Sequence, residues 1–352
     1  MIERLNNFFK RVFINDETVV FSLLLISSLI ILNYFGSILT PFLLSIVVAY
    51  LLVGLQKKLE SFGIKRLWAL ISTFTIFIIV GAALLIWLLP ILYTQLQLLV
   101  LETPGLLNDF FIFVSQIPTA YPELVTSEQI SAFFQNVSSE FALVAQNIVK
   151  SSISGIQSAI TVLIYILLFP ILVYFFLFDR SEILNGFLKI IPGERKMLYK
   201  IWEEMDIQLS NYVRGKTLEI FIVGISAGII FSFIGLNYTA LLSVLVGLSV
   251  VIPYVGAFAV TVPIVIIGLI QFGFSFDFWL LIILYLILQV LDGNLLVPII
   301  FSDAVKLHPV IIILAVFVFG SMFGFWGVFF AIPIATFVKA VWNAWPSQPN
   351  IS

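Results

Sequence analysis

Residues 315–338 read AVFVFGSMFGFWGVFFAIPIATFV. They carry no charge, and as a helix they are long enough to cross a hydrocarbon core of ~30 Å, which takes about 20 apolar residues. A strand of a membrane barrel would alternate apolar and polar positions; neither this stretch nor LLISSLIILNYFG at 24–36 does so. In lipid the backbone must satisfy its own N–H and C=O groups, so the reading left is a helix.

The rest of the chain repeats this pattern. Of 352 residues, 61% are apolar and 10% charged, against about 25% charged in an ordinary soluble domain. The fold class read from this is an all-α polytopic membrane protein, a single transmembrane domain over 1–352. Eight spans fit, at 18–35, 38–55, 67–92, 155–178, 217–235, 239–270, 277–300 and 310–338. The opening MIERLNNFFKRVFIN is basic, but no small-residue cleavage site follows the next apolar run, so that run is read as a retained helix.

A net charge of −2 argues against a nucleic-acid partner. There is no cysteine and one histidine, His308, which excludes disulfides, thiolate ligands and a multi-histidine metal site. No cofactor is expected. No nucleophile, histidine and acid can be assembled around His308, and no P-loop occurs, so neither an enzyme nor an ATP-driven pump is expected.

Threading the spans with the N-terminus inside leaves fifteen of the 17 basic residues on the cytoplasmic side, which favours cytoplasmic termini and a bacterial inner-membrane location. Segment 93–154 then faces outward as a helical loop, with an amphipathic helix in SEQISAFFQNVSSEFALVAQNIV (127–149). Segment 179–216 faces inward. Within it ERKMLYKIWEEMDIQLSNYV (194–213) suits an amphipathic helix whose apolar stripe is Met197, Ile201, Met205 and Leu209.

Several prolines interrupt the spans. In GLSVVIPYVGAFAVTVP (247–263), Pro253 lies close to Gly256 within a segment too long for one straight span. A broken or re-entrant segment and a tilted helix both fit. Near the other end of the chain, Pro333 follows spaced glycines in a similar Ile-Pro setting.

The most polar stretch inside hydrocarbon is QVLDGNLLVP at 289–298. Tyr285, Gln289 and Asp292 are spaced i, i+4 and i+7, on one helix face. Gly293 permits bending, and Pro298 withholds the N–H that the carbonyl of Asn294 would otherwise receive. A carboxylate at the bilayer centre costs a few kcal/mol or more unless it faces a cavity, pairs or is protonated. This pattern suits a cation or proton site, or the lining of a path for a polar solute. Glu219, one turn past Arg214 and Lys216, either pairs at the membrane boundary or joins Asp292.

YVRGK (212–216), VIPYVG (251–256), DGNLLVP (292–298), LHP (307–309) and the late glycines before IP (332–333) resemble the AI-2E family of bacterial inner-membrane proteins. The resemblance spans nearly the whole chain. It implies a transporter assembled as a homo-oligomer, pentameric in some members, with Tyr212, Arg214 and Gly215 forming a cytoplasmic motif. Asp292 stands where the family pattern leads one to expect glutamate, and Lys216 where glutamine is common.

The leading expectation is a secondary transporter or exporter of a small polar solute, autoinducer-2 by resemblance to a quorum-sensing exporter. Sodium– or other cation–proton antiport through Asp292 is the alternative within transport. A non-transporting membrane scaffold in contact with lipid is the alternative outside it.

Overall fold

The computed structural model describes residues 16–115, 155–190, 196–253, 255–301 and 307–345, with isolated positions between 128 and 139. The amphipathic helix expected over 127–149 falls almost wholly outside the described residues. Among the described residues every regular element is helical. They are α1 (Asp16–Ser61), α2 (Arg66–Ala83), α3 (Leu89–Val114), α4 (Gly155–Phe178), α5 (Arg180–Ile190), α6 (Lys196–Ile234), α7 (Thr239–Ser249), α8 (Val255–Phe272), α9 (Phe276–Leu291), α10 (Val297–Phe301), α11 (Pro309–Phe329) and α12 (Ala331–Ala344). Two π-helical turns, Leu84–Leu88 and Asp292–Leu296, join α2 to α3 and α9 to α10. Among the described residues six helices are long and apolar enough to cross a membrane, seven if the bent pair α4–α5 counts as one span; eight spans were expected.

The differences have local causes. The span expected to end at 92 continues helically from Arg66 to Ile112, because one widened turn at Leu84–Leu88 accommodates Pro90 without breaking the chain. The amphipathic helix and span five are a single helix, α6, which runs through Gly215 without a proline to end it. After α4 the chain turns by 79° at Asp179 into α5.

Two compact units make up the fold. The first comprises Met1–Ile78, Leu167–Leu218 and Pro298–Ser352. In it the stripe expected on α6 faces protein: Met197 and Ile201 are buried with Phe21, and Met205 packs beside them with Phe337 and Val341 of α12. Glu17 of α1 accepts a hydrogen bond from the Leu198 N–H at 2.9 Å, in the first turn of α6, where a negative charge is favoured. Tyr50, also of α1, donates to Asp206 at 2.9 Å. On a straight helix residues 17 and 50 would lie ~50 Å apart, whereas residues 198 and 206 are separated by only ~12 Å of helix. The chain therefore bends back between the apolar stretches Glu17–Leu32 and Ile38–Ser61 while remaining helical.

The second unit comprises Ile79–Ile166 and Glu219–Val297. Its core joins Val223, Ala227 and Phe231 of α6, spaced by four, to Leu242 and Val246 of α7, Ile264 and Ile267 of α8, and Leu281, Tyr285 and Leu288 of α9. Leu218, Ile225, Ile229 and Phe233 on the other side of α6 are exposed, as a lipid-facing surface should be. Lipid tails are as apolar as these side chains, so helix association depends on close packing. Gly224 and Gly247 supply it: a Cβ on Gly247 would lie 2.7 Å from the Ile220 carbonyl oxygen and 3.1 Å from the Gly224 Cα.

The expected span 239–270 is two helices, and their outer ends meet. The Gln271 amide donates to the Gly235 carbonyl at 2.8 Å, and its oxygen accepts from the Asn237 N–H at 2.8 Å. At 11 residues α7 is ~16 Å long, about half the hydrocarbon thickness. α7 and α8 thus form a helical hairpin whose far ends meet, the broken form of 239–270 that the sequence allowed, and α8 by itself keeps the length and apolarity of a span. The break between Ser249 and Val255 follows from Pro253, which cannot continue the hydrogen-bond ladder, and Gly256 opens the next helix.

Candidate functional site

Gly256 determines how tightly the hairpin closes. A Cβ there would overlap the carbonyl oxygen of Ser249, the last residue of α7, so only glycine lets the two helices meet at this point. One residue later the Ala257 carbonyl starts a chain of hydrogen bonds across to α9. It accepts from the Thr261 hydroxyl at 2.7 Å; Thr261 Oγ1 lies 3.1 Å from Tyr285 Oη; Tyr285 Oη accepts from the Gln289 amide at 2.8 Å. With the Thr261 proton on Ala257, the Tyr285 hydroxyl is the donor toward Thr261, and it also lies 3.5 Å from the Ala257 oxygen. Tyr285 is 1% exposed. Residues placed on one face by their spacing are joined through it to the hairpin.

Beyond Gln289 the helix changes register. Up to Asp292 the α-pattern holds, with the Asp292 N–H donating to the Leu288 and Gln289 carbonyls. The Val297 N–H then reaches back to the Asp292 carbonyl, an i to i+5 bond. Such π-turns frequently mark functional sites. Pro298 follows directly and donates to neither register. Asn294, exposed, turns its side-chain amide to the Val290 carbonyl at 3.0 Å. Asp292 is half-buried, with Oδ1 shut off from solvent. Gly293 has open space where a Cβ would go, so it is not needed for close packing.

Glu219 is 2% exposed and Lys216 is 6% exposed, both on α6. The Lys216 ammonium lies 5.5 Å from the ring centroid of Phe301. In the YVRGK motif the Tyr212 hydroxyl donates to the Phe329 carbonyl at 3.0 Å, Arg214 donates to Ser210 Oγ at 2.8 Å, and Gly215 lies against Ile300 and Phe301. These three motif residues support helix packing. Pro333 is buried near the start of α12, and its carbonyl accepts from the Thr336 hydroxyl at 2.8 Å. His308 caps α11, its Nδ1 accepting from the Val310 N–H at 3.3 Å.

Sequence reasoning missed Thr261, which looks like a lone hydroxyl in an apolar run. It also missed the side chains that hold the turn into α7. Gln95 accepts from the Leu241 N–H at 2.8 Å, and Glu102 accepts from the Tyr238 hydroxyl. Tyr238 has φ +56, in the left-handed region that a side chain rarely adopts. Burial, then the bond to Glu102, raises the Tyr238 hydroxyl from 10.0 to about 12.

Long apolar helices, a helical hairpin and a π-turn beside buried polar groups define a multi-pass helical membrane protein. The chain belongs to the AI-2E family of transporters, whose family model matches residues 19–347. It is 42% identical over 346 residues to PerM of Escherichia coli (strain K12), a proposed permease, covering 98% of each chain. YrrI of Bacillus subtilis (strain 168), a proposed transport protein, is 28% identical over 311 residues, covering 87% of this chain and 86% of that one. A proposed transport protein of Thermotoga maritima is 24% identical over 341 residues, covering 95% and 96%. Family membership makes this chain a transporter rather than an enzyme.

Proposed function

We propose that this protein exports a small polar solute by alternating access, with autoinducer-2 as the candidate cargo by family resemblance. The observation that carries the reading is the helical hairpin α7–α8 tied to α9 through Thr261 and Tyr285. Irregular backbone at membrane depth is tolerated only when buried in protein or lining a water-filled cavity. Hydroxyls and amides next to such a break suit a solute rich in hydroxyl groups. In this reading Tyr285 and Gln289 set the hairpin's position on α9. Asp292 and Asn294, at the π-turn, meet the solute, while Pro253, Gly256 and Pro298 permit the bends. The termini are cytoplasmic, and the chain assembles with copies of itself.

A second reading is exchange of sodium for protons at Asp292, with Glu219 as a further carboxylate. The inaccessible Oδ1 of Asp292 favours it, because a shielded carboxylate can exchange a proton for a cation. A scaffold role is the least supported reading, since it accounts for the Gln289–Tyr285 bond but not for the π-turn.

Purified protein reconstituted into liposomes distinguishes them. Release of autoinducer-2 with no dependence on sodium supports export. A sodium-driven pH change with no autoinducer-2 flux supports exchange. Neither flux, from well-folded protein, would remove both transport assignments.

A further inference from the structure

The hairpin α7–α8 in the second unit has a counterpart in the first. α11 carries an internal break at Gly324, with φ +59 and ψ −137, a conformation open only to glycine. Past that break a Cβ on Gly327 would overlap the carbonyl oxygen of Phe319, as one on Gly256 would overlap that of Ser249. A Cβ on Gly320 would lie 2.8 Å from the Val328 side chain, so the chain doubles back at this point. Further from the break, Ile312 of α11 and Ile332 of α12 share one apolar cluster with Tyr212.

The spacing matches as well. Thr239, Ser249, Gly256 and Pro263 mark the start of the first helix, the covered carbonyl, the contact glycine and the proline of the second helix. Pro309, Phe319, Gly327 and Pro333 do the same, in the same order and with each interval equal to within one residue. In each copy a buried tyrosine from another helix stands at a carbonyl just past the contact glycine. Tyr285 Oη is 3.5 Å from the Ala257 oxygen, and Tyr212 Oη is 3.0 Å from that of Phe329. Four positions, two covered carbonyls and two tyrosines agree, which one accidental kink would not produce.

We infer that α11 and the start of α12 form a second hinged element of the transport cycle, with Gly324 as its hinge, Gly327 as its closing contact and Tyr212 as the residue that positions it. This rests on the transport reading above. It changes the role of the YVRGK motif: Tyr212 holds a movable element, where the motif otherwise reads only as cytoplasmic packing.

The chain has no cysteine, so single nitroxide labels can be placed directly. Phe258→Cys in α8 and Phe325→Cys in α11, both exposed, report on the two elements. Each labelled protein is reconstituted into liposomes, and its spectrum is recorded with an imposed sodium gradient, with an imposed pH gradient and with autoinducer-2. The expected result is a change in label mobility at both positions under the same stimulus. Gly324→Ala should suppress the change at 325 and leave that at 258. Tyr212→Phe, which removes only a hydroxyl, should lower the amplitude at 325 at least about twofold. A response at 258 with none at 325 would overturn the inference and leave the transport reading intact. A response at 325 alone would support the second hinge and remove the path assignment from the first hairpin. Silence at both positions under all three stimuli would overturn both.

Discussion

Gln289 donates its side-chain amide to the hydroxyl of Tyr285 at 2.8 Å, one turn back on the same helix, and that hydroxyl in turn holds Thr261 of the hairpin. A stripe that looks in the sequence like a ligand site is thus partly occupied with joining two helices. Tyr285→Phe keeps the ring and removes the link, leaving the Gln289 amide short of a partner at a cost of about 1–3 kcal/mol. Denaturation in detergent should show that loss. Adding Gln289→Leu should recover part of it, because the orphaned amide goes too.

Gly256 and Gly293 stand in the same functional region and should respond differently. Gly256→Ala forces a Cβ into the Ser249 carbonyl, whereas Gly293→Ala meets nothing. Flux in proteoliposomes is expected to fall about tenfold or more for the first, equivalent to ~1.4 kcal/mol or more in activation free energy, and to stay near the parent value for the second. A large loss with Gly293→Ala would mean that bending at the π-turn is itself required.

Asp292→Asn keeps the shape of the side chain and removes its charge. If cation exchange is the activity, sodium-driven pH change should disappear. If export of a neutral solute is the activity, flux should persist with an altered apparent affinity. Parallel measurement of internal pH and released autoinducer-2 separates the outcomes.

Stability should fall in alkali through Tyr238. Folding raises its hydroxyl from 10.0 to about 12, so the folded state favours the protonated form. The contribution is complete below pH 10 and is lost as pH climbs towards 12. Tyr238→Phe should lack that component, which is seen by comparing melting temperatures of parent and variant in detergent from pH 9 to pH 12.

Arg180 pairs with Asp206 at 2.6 Å and lies over the Tyr50 ring, 5.3 Å from its centroid, at the turn between α4 and α5. Both charged groups are about one-third exposed, so the pair is screened and worth no more than about 1 kcal/mol. Arg180→Ala is expected to shift the melting temperature modestly and to show less effect as salt is raised.

Hydrophobicity alone determined that the chain spans a membrane as helices, since nothing else satisfies a backbone surrounded by hydrocarbon. Spacing determined that Met197, Ile201 and Met205 share a buried face, and that Tyr285 and Gln289 share another. Pro253 with Gly256 marked a break without revealing its direction. That the two helices fold back on each other depends on Gln271 reaching Gly235, a contact across 36 positions that no local pattern encodes. The same holds for QVLDGNLLVP. Its polarity was visible in the sequence, but the partition of that polarity, with Gln289 bound to Tyr285 and Asp292 at the start of a π-turn, was decided by packing, because a hydrogen bond needs a partner brought within 3 Å and only the tertiary structure brings it there.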